Sequence, residues 1–278
     1  MCLGPEVSRL MLISIVTVVK DDVTGFLATR DSMLAQELSA CEWIVVDGSS
    51  DTGAIPPLVE AAADRLSVNY AHQPPSGVYS AMNQALAMAH GLYVYFLNAG
   101  DEFYAADVLR RVRDALAPEP VWAFGPVGII SPTGTEVITP QWDYRHEQAQ
   151  LFSRGHFPPH QGTIVHAQTL RSIGGFDVSY QIAADYAVCL RLSQLADPLT
   201  LPFVVAKFPE GGISTSQWQK SFREFHRARR SILHPVGVRA VKERWNTCRQ
   251  YFLVFAHREI RPRLSLSARK PSSNQPSK

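Results

Sequence analysis

The sequence is poor in the features that would assign it at once. Its four cysteines, Cys2, Cys41, Cys189 and Cys248, are scattered and form no C-x-x-C pair. That argues against structural zinc held by thiolates and against a disulfide framework, and it suits a reducing compartment. No apolar run reaches the roughly 18–20 residues needed to cross a bilayer. The opening, MCLGPEVSRLMLISIV, lacks the charged n-region and small-residue cleavage site of a secretory leader. No G-x-G-x-x-G follows a strand, which disfavours ordinary dinucleotide binding. There is no G-x-x-x-x-G-K-[ST] phosphate loop and no G-x-S-x-G elbow, so P-loop and usual α/β-hydrolase chemistry drop out. One H-x-x-x-H pair does occur, His156 and His160 in HFPPH. Its prolines deny it the helix that would align both imidazoles, so zinc is not expected there.

What is present points to a folded body with a differently charged end. The 278 residues can bury a large core as one domain or somewhat more. The formal net charge of +2 conceals a division. Residues 1–219 hold 12 Lys and Arg against 22 Asp and Glu, whereas residues 220–278 hold 15 against 3. A basic C-terminal arm on an acidic body seeks anionic lipid, nucleic acid or an acidic partner.

The pattern along the chain alternates strands with helices. Strands are expected at 12–19, 42–46, 68–70, 92–97 and 121–125. Helices are expected at 55–66, 78–91 with Gly91 as C-cap, and 105–117. Such alternation predicts an α/β fold with a largely parallel sheet. A hairpin is expected at 127–140 around a Pro-Thr-Gly turn, then a helix at 183–195, a strand at 203–208 and basic helices at 217–233 and 236–258.

Acidic residues end three of the strands: Asp21 and Asp22, then Asp47 and Asp51, then Asp101 in YFLNAGDEF. Each alone reads as a turn or cap residue. Together, beyond the carboxyl ends of parallel strands, they predict a polar crevice where a ligand would bind.

The ordered set SIVTVVK, EWIVVDGSSD, GVYSAMNQALAMAHG, YFLNAGD, HQG, GGFD with IAADYAVCLRL, and GGIS resembles the family-2 glycosyltransferases of the GT-A fold. It is most similar to the colanic-acid-type exopolysaccharide transferases, over about residues 12–235. Each motif alone is common, and their number and order carry the resemblance. It implies a GT-A domain over 12–216, an N-terminal extension over 1–11, basic helices over 217–260 and a disordered tail over 261–278. It implies an inverting transfer of sugar from a UDP- or GDP-linked donor to a lipid-linked oligosaccharide in exopolysaccharide biosynthesis. The setting would be cytoplasmic, at the inner face of the membrane.

The resemblance also implies roles. Thr17, Val18, Asp47, Gly48 and Asp51 would form the nucleotide pocket, with Tyr79, Asn83 and Asn98 toward the donor. Asp101, at the family's DxD position, would hold Mg²⁺ or Mn²⁺ against the diphosphate, since hard cations take oxygen ligands. Gly100 would allow close backbone approach there. Asp185 would be the catalytic base. His160 and Gln161 would face the acceptor or donor, and Gly211, Gly212 and Ser214 would form a loop near the diphosphate. The sequence departs from these relatives at Ser76 and Ser80, where they carry carboxylates, and at Asn98, the first DxD position. A catalytically silent binding or scaffold protein on the same fold is the rival reading. A nucleotidyltransferase is disfavoured, because no lysine-bearing glycine-rich loop is present.

Segment 239–258 puts Val241, Trp245, Cys248, Phe252 and Phe255 on one helical stripe, with Lys242, Arg244 and Arg249 elsewhere. Either the stripe packs on the body or it meets an anionic membrane surface. No recognised nucleic-acid motif accompanies the charge, so nucleic acid is not expected as a partner.

Overall fold

The computed structural model describes residues 12–141, 144, 152, 157–211 and 216–256. The chain runs β1 (Ile13–Val19), α1 (Val23–Leu34), β2 (Cys41–Asp47), α2 (Pro56–Glu60), β3 (Ser67–His72), α3 (Val78–Met88) and β4 (Tyr93–Phe96). It continues through β5 (Glu102–Phe103), α4 (Val108–Ala115), β6 (Trp122–Phe124), β7 (Val127–Ile130) and β8 (Glu136–Ile138). A 3₁₀ turn (His160–Gly162) leads into β9 (Thr163–His166), α5 (Ala167–Ser172), α6 (Ala184–Leu192), β10 (Leu199–Thr200) and β11 (Ala206–Pro209). Two longer helices follow, α7 (Trp218–Leu233) and α8 (Gly237–Phe255). No helix among the described residues is long and apolar enough to cross a membrane.

Seven strands form the main sheet in the order β10-β6-β9-β4-β1-β2-β3. β1 pairs in parallel with β2 and with β4, and β2 in parallel with β3. Every residue of β1 and β2 is buried, because helices cover both faces of the sheet. On one face α3 presses Met82, Ala85 and Leu86 onto the strands, joined by Val188 of α6 and Phe225 of α7. On the other, α1 contributes Phe26 and Met33, and α4 contributes Val108, Leu109 and Val112. The expected α/β class with a mainly parallel sheet is therefore the observed one. β9 is the exception: it runs antiparallel between β4 and β6.

A second, four-stranded sheet has the order β5-β11-β7-β8, and its β7–β8 pair is the expected hairpin. Between β4 and β5 the chain leaves the main sheet and enters the second. Asn98-Ala99-Gly100-Asp101 makes that change of sheet, closed by the Asp101 amide donating to the Asn98 carbonyl at 2.9 Å. Gly100 has φ +92°, which a side chain would strain. Its freedom serves the turn, and an added Cβ would meet only Asp22, at 3.9 Å.

Two local expectations need correction. The helix expected over 55–66 is regular only over Pro56–Glu60, with turns beyond it. Helix α3 ends at Met88, with extended Ala89 as its C-cap, so Gly91 does not cap it. Gly91 instead lies under β1, where a Cβ would come within 2.6 Å of the Ser14 amide nitrogen. The extension over 1–11, the tail over 261–278 and His156 lie outside the described residues.

Candidate active site

An open cleft of about 950 Å³ lies at the carboxyl ends of β1, β2 and β4. Val18, Gly48, Tyr79 and Asn98 line it, and so do Lys20 and Gln181. This is where the chain order reverses, since β2 and β3 lie to one side of β1 and β4 to the other. Such a switch point leaves a crevice between diverging loops. Two loops are tied together at its rim. The Ser50 amide donates to Asp21 Oδ1 at 2.7 Å, and the Asp21 amide donates to Ser49 Oγ at 2.9 Å. Asp22 caps α1, accepting from the Gly25 amide at 2.8 Å.

Asp101 and Asp185 meet at one imidazole. His160 Nε2 lies 3.8 Å from Asp101 Oδ2, and His160 Nδ1 lies 3.6 Å from Asp185 Oδ2. Asn98 Nδ2 is 3.2 Å from His160 Nε2, and Gln161 Nε2 donates to Asp101 Oδ1 at 3.5 Å. Burial pushes the Asp101 carboxyl up to about 6, although His160, Gln161 and the Asn98 amide pull it down. Burial opposes charge on His160, but the hydrogen bond to Asp185 and the charges of Asp101 and Asp185 prevail and raise its pKa.

Each member is set by a different element. Asp101 ends the turn between sheets. Thr29, fully buried on α1, donates from Oγ1 to the Asp101 carbonyl at 2.7 Å and accepts from the Gly100 amide at 3.0 Å. The turn carrying His160 is held by Tyr95, whose hydroxyl donates to the Gln161 carbonyl at 2.7 Å. Asp185 stands in the first turn of α6, where its Oδ1 accepts from the Tyr186 amide at 2.8 Å. Tyr79 stacks on Phe176 and donates to the Ile182 carbonyl at 2.5 Å, with Asp185 Oδ1 3.3 Å away. Burial first, and the Asp185 charge second, keep that phenol firmly protonated.

The start of α6 is capped from elsewhere. Glu224 of α7, 8% exposed, accepts from the amides of Gln181, Ile182 and Ala183 at 3.1, 2.8 and 3.0 Å. That carboxylate does the work of an N-cap and leaves Asp185 Oδ2 facing His160. Glu224→Gln keeps one acceptor oxygen and loses the charge. It should lower stability by about 1–2 kcal/mol, read by chemical denaturation. An unchanged midpoint would remove this bracing role.

Three residues expected in the pocket serve the fold instead. Thr17 is fully buried; its hydroxyl donates to the Leu97 carbonyl at 2.8 Å and accepts from Trp43 Nε1 at 2.9 Å. Asp47 is also fully buried, and its two oxygens accept from the Ser49 amide and the Tyr70 hydroxyl. Asn83 clamps the backbone of Phe176, donating to its carbonyl at 2.7 Å and accepting from its amide at 2.8 Å. In each case a polar side chain on a buried face found internal partners that a helix or strand pattern does not reveal. Asp51 is exposed in the loop after β2 and accepts from the Gly53 amide. Gly211 is exposed after β11 with φ +124°, while Gly212 and Ser214 lie outside the described residues. At the two departures, Ser76 donates to Ser80 at 2.8 Å, so the pair satisfies itself at the cleft wall.

The glycosyl transferase family 2 model matches residues 14–171, more than half of the chain. The chain belongs to that family. An uncharacterized glycosyltransferase of Mycobacterium tuberculosis is 27% identical over 208 residues, covering 73% of this chain and 77% of its own. Among solved structures, S. aureus TarS (residues 1–349) with UDP-GlcNAc superposes with a TM-score of 0.65 at 14% identity, covering 88% of this chain and 73% of that one. Mannosyltransferase PcManGT from Pyrobaculum calidifontis, with GDP-Man and Mn²⁺, gives 0.60 at 18% identity, covering 94% and 79%. The fold is GT-A, and as a member of this family the protein is a glycosyltransferase.

Within this family-2 site, sequence reading missed Lys20, Gln181, Thr29 and Glu224. Lys20 follows Val18 and Val19 and precedes Asp22 at the cleft, so the end of β1 was a usable signal. Thr29 and Glu224 carried none, since a threonine or glutamate in a helix ordinarily faces water.

Proposed function

We propose that the protein is an inverting transferase that moves a sugar from a nucleoside-diphosphate donor to a lipid-linked oligosaccharide during exopolysaccharide assembly. It would act as a peripheral enzyme at the inner face of the cytoplasmic membrane. One observation carries the reading: Asp101 and Asp185 converge on His160 beside the cleft at the strand ends. TarS with UDP-GlcNAc and PcManGT with GDP-Man support a UDP- or GDP-linked donor on this fold.

In this reading the nucleotide lies along Val18, Gly48 and the start of α3, with Lys20 toward the negative diphosphate. Asp185 Oδ2 accepts the proton of an acceptor hydroxyl as that oxygen bonds to the anomeric carbon. The bond from that carbon to the diphosphate oxygen breaks on the opposite face, so configuration inverts. Tyr79, anchored on the Ile182 carbonyl, keeps the segment carrying Asp185 in place.

A divalent cation fits the residues present. Asn98 Oδ1 is buried without a hydrogen-bond partner among the described residues, close to the Asp101 carboxylate that burial disfavours as an anion. Asp101 and Asn98 would hold Mg²⁺ or Mn²⁺, and the ion would offset charge on the leaving diphosphate. No group of three or more His, Cys, Asp or Glu is arranged for a metal among the described residues, so phosphate and water oxygens would complete the shell.

The experiment is titration calorimetry of UDP and GDP with and without Mn²⁺. Mn²⁺ should tighten binding at least about tenfold in the wild type and not in Asp101→Ala. Equal affinity with and without the ion would remove Asp101 from the metal role.

A further inference from the structure

We propose that the outer face of α8 docks the protein on an anionic lipid surface. The inner face of this helix is committed to α7. Glu243 accepts from Arg229 Nε at 2.8 Å, Thr247 Oγ1 accepts from Arg229 Nη2 at 2.7 Å, and Tyr251 packs on Trp218 with centroids 5.2 Å apart. The opposite face carries Val238, Val241, Trp245 and Phe252, which are 84, 70, 70 and 64% exposed. Their spacing of three, four and seven makes one continuous stripe along the helix. Among the described residues these four side chains are therefore left largely uncovered.

The charges around the stripe say what covers it. Arg239, Lys242, Arg244 and Arg249 are exposed, and none has an ion-pair or hydrogen-bond partner among the described residues. The helix's one carboxylate, Glu243, is turned inward, 11% exposed, between Arg229 and His226. Lys242, Arg244 and Arg249 flank the stripe, whereas Arg239 lies in the row of Glu243, so among the described residues the outer face offers three cations and no anion. The sequence beyond adds six Lys and Arg against one Glu over 257–278.

A second copy of the chain is a poor occupant. Two-fold pairing of this face would set Lys242, Arg244 and Arg249 against their own images. Nucleic acid would leave a valine, tryptophan and phenylalanine stripe without a partner. A lipid interface accepts both halves: the apolar side chains enter the acyl boundary, Trp245 sits at headgroup level and the cations meet lipid phosphates. Near an anionic surface each cation is worth about fivefold in partition. The inference does not depend on sugar transfer, since vesicle binding is read without donor or acceptor.

The test uses the purified full chain and flotation with two kinds of vesicle. One is phosphatidylcholine alone; in the other about a third of the lipid is phosphatidylglycerol. Partition should favour the anionic vesicles at least about tenfold and fall as salt rises. Trp245→Ser with Phe252→Ser should cut binding at least about tenfold, while the thermal midpoint stays within about 2 °C because both side chains are exposed. Arg244→Gln with Arg249→Gln should reduce the preference for anionic lipid. Absence of binding at low salt, or undiminished binding by the Trp245, Phe252 variant, would overturn the proposal. So would a dimer in sedimentation that this variant abolishes.

Discussion

Asp185→Asn is expected to lower sugar transfer by about 10²–10⁴-fold while donor affinity stays within about twofold of wild type. The amide has the shape of the carboxylate. Its oxygen can still accept from the Tyr186 amide, the 2.8 Å contact that seats the side chain in the first turn of α6. Glu224 still brackets the preceding amides, so the helix start does not collapse. What the substitution removes is a group able to take a proton. The loss should therefore appear in kcat under saturating donor, with binding of the nucleoside diphosphate preserved in a separate titration. Transfer at the wild-type rate would leave Asp185 as an ordinary first-turn acid. The same pair of measurements separates the enzyme from a silent protein on this fold, because a scaffold would show no transfer to lose.

The order of strands and helices was legible because its signals are local. Unbroken β-branched runs such as ISIVTVV are what a strand buried on both faces requires. The convergence of acidic stops on one edge followed from parallel topology, and it correctly put Asp22 and the Asp101 turn beside one crevice. What the sequence did not disclose is settled by contacts distant in the chain. The antiparallel insertion of β9 rests on pairing with β4 and β6, some 40–70 residues earlier, and four residues of TIVH carry no hint of direction. Thr17, Asp47 and Asn83 were expected at the site because the family resemblance implies those roles, and a polar side chain near a strand end or on a helix face is as ready to bind backbone as ligand. Only coordinates show that Leu97, Tyr70 and Phe176 occupy them. His160 shows the reverse. Its place in HQG marked it as a site residue, yet its position between two carboxylates depends on the sheet-switching turn and the start of α6 being brought together.

Glu42→Gln should cost about 3 kcal/mol of stability, a fall of roughly 6–9 °C in the thermal midpoint. Glu42 is 1% exposed at the start of β2, the end of the sheet away from the cleft. Its Oε1 accepts from Ser14 Oγ at 2.5 Å, the His90 amide at 2.7 Å and the Gly91 amide at 3.2 Å. Its Oε2 accepts from Asn69 Nδ2 at 3.3 Å and meets the His90 ring at 3.2 Å. One carboxylate thus joins β1, β2, β3 and the segment after α3. Burial disfavours its charge, but the donors from Ser14 and His90 outweigh burial and hold its pKa below the ordinary 4.5. A carboxyl with a depressed folded pKa binds fewer protons than in the unfolded chain. Its stabilisation is complete above about pH 4.5 and is lost as pH falls through the folded value. Glutamine cannot titrate, and it turns an amide N–H toward donors. The gap between wild type and variant should therefore be widest near neutrality and should narrow below about pH 4.5, followed by thermal melts across pH. A constant gap would mean that shape and packing, not charge, set the value of Glu42. Because this network lies at the opposite end of the strands from Asp101 and Asp185, kcat measured well below the midpoint should be unaltered. A drop in kcat at that temperature would show that the two ends of the sheet are coupled.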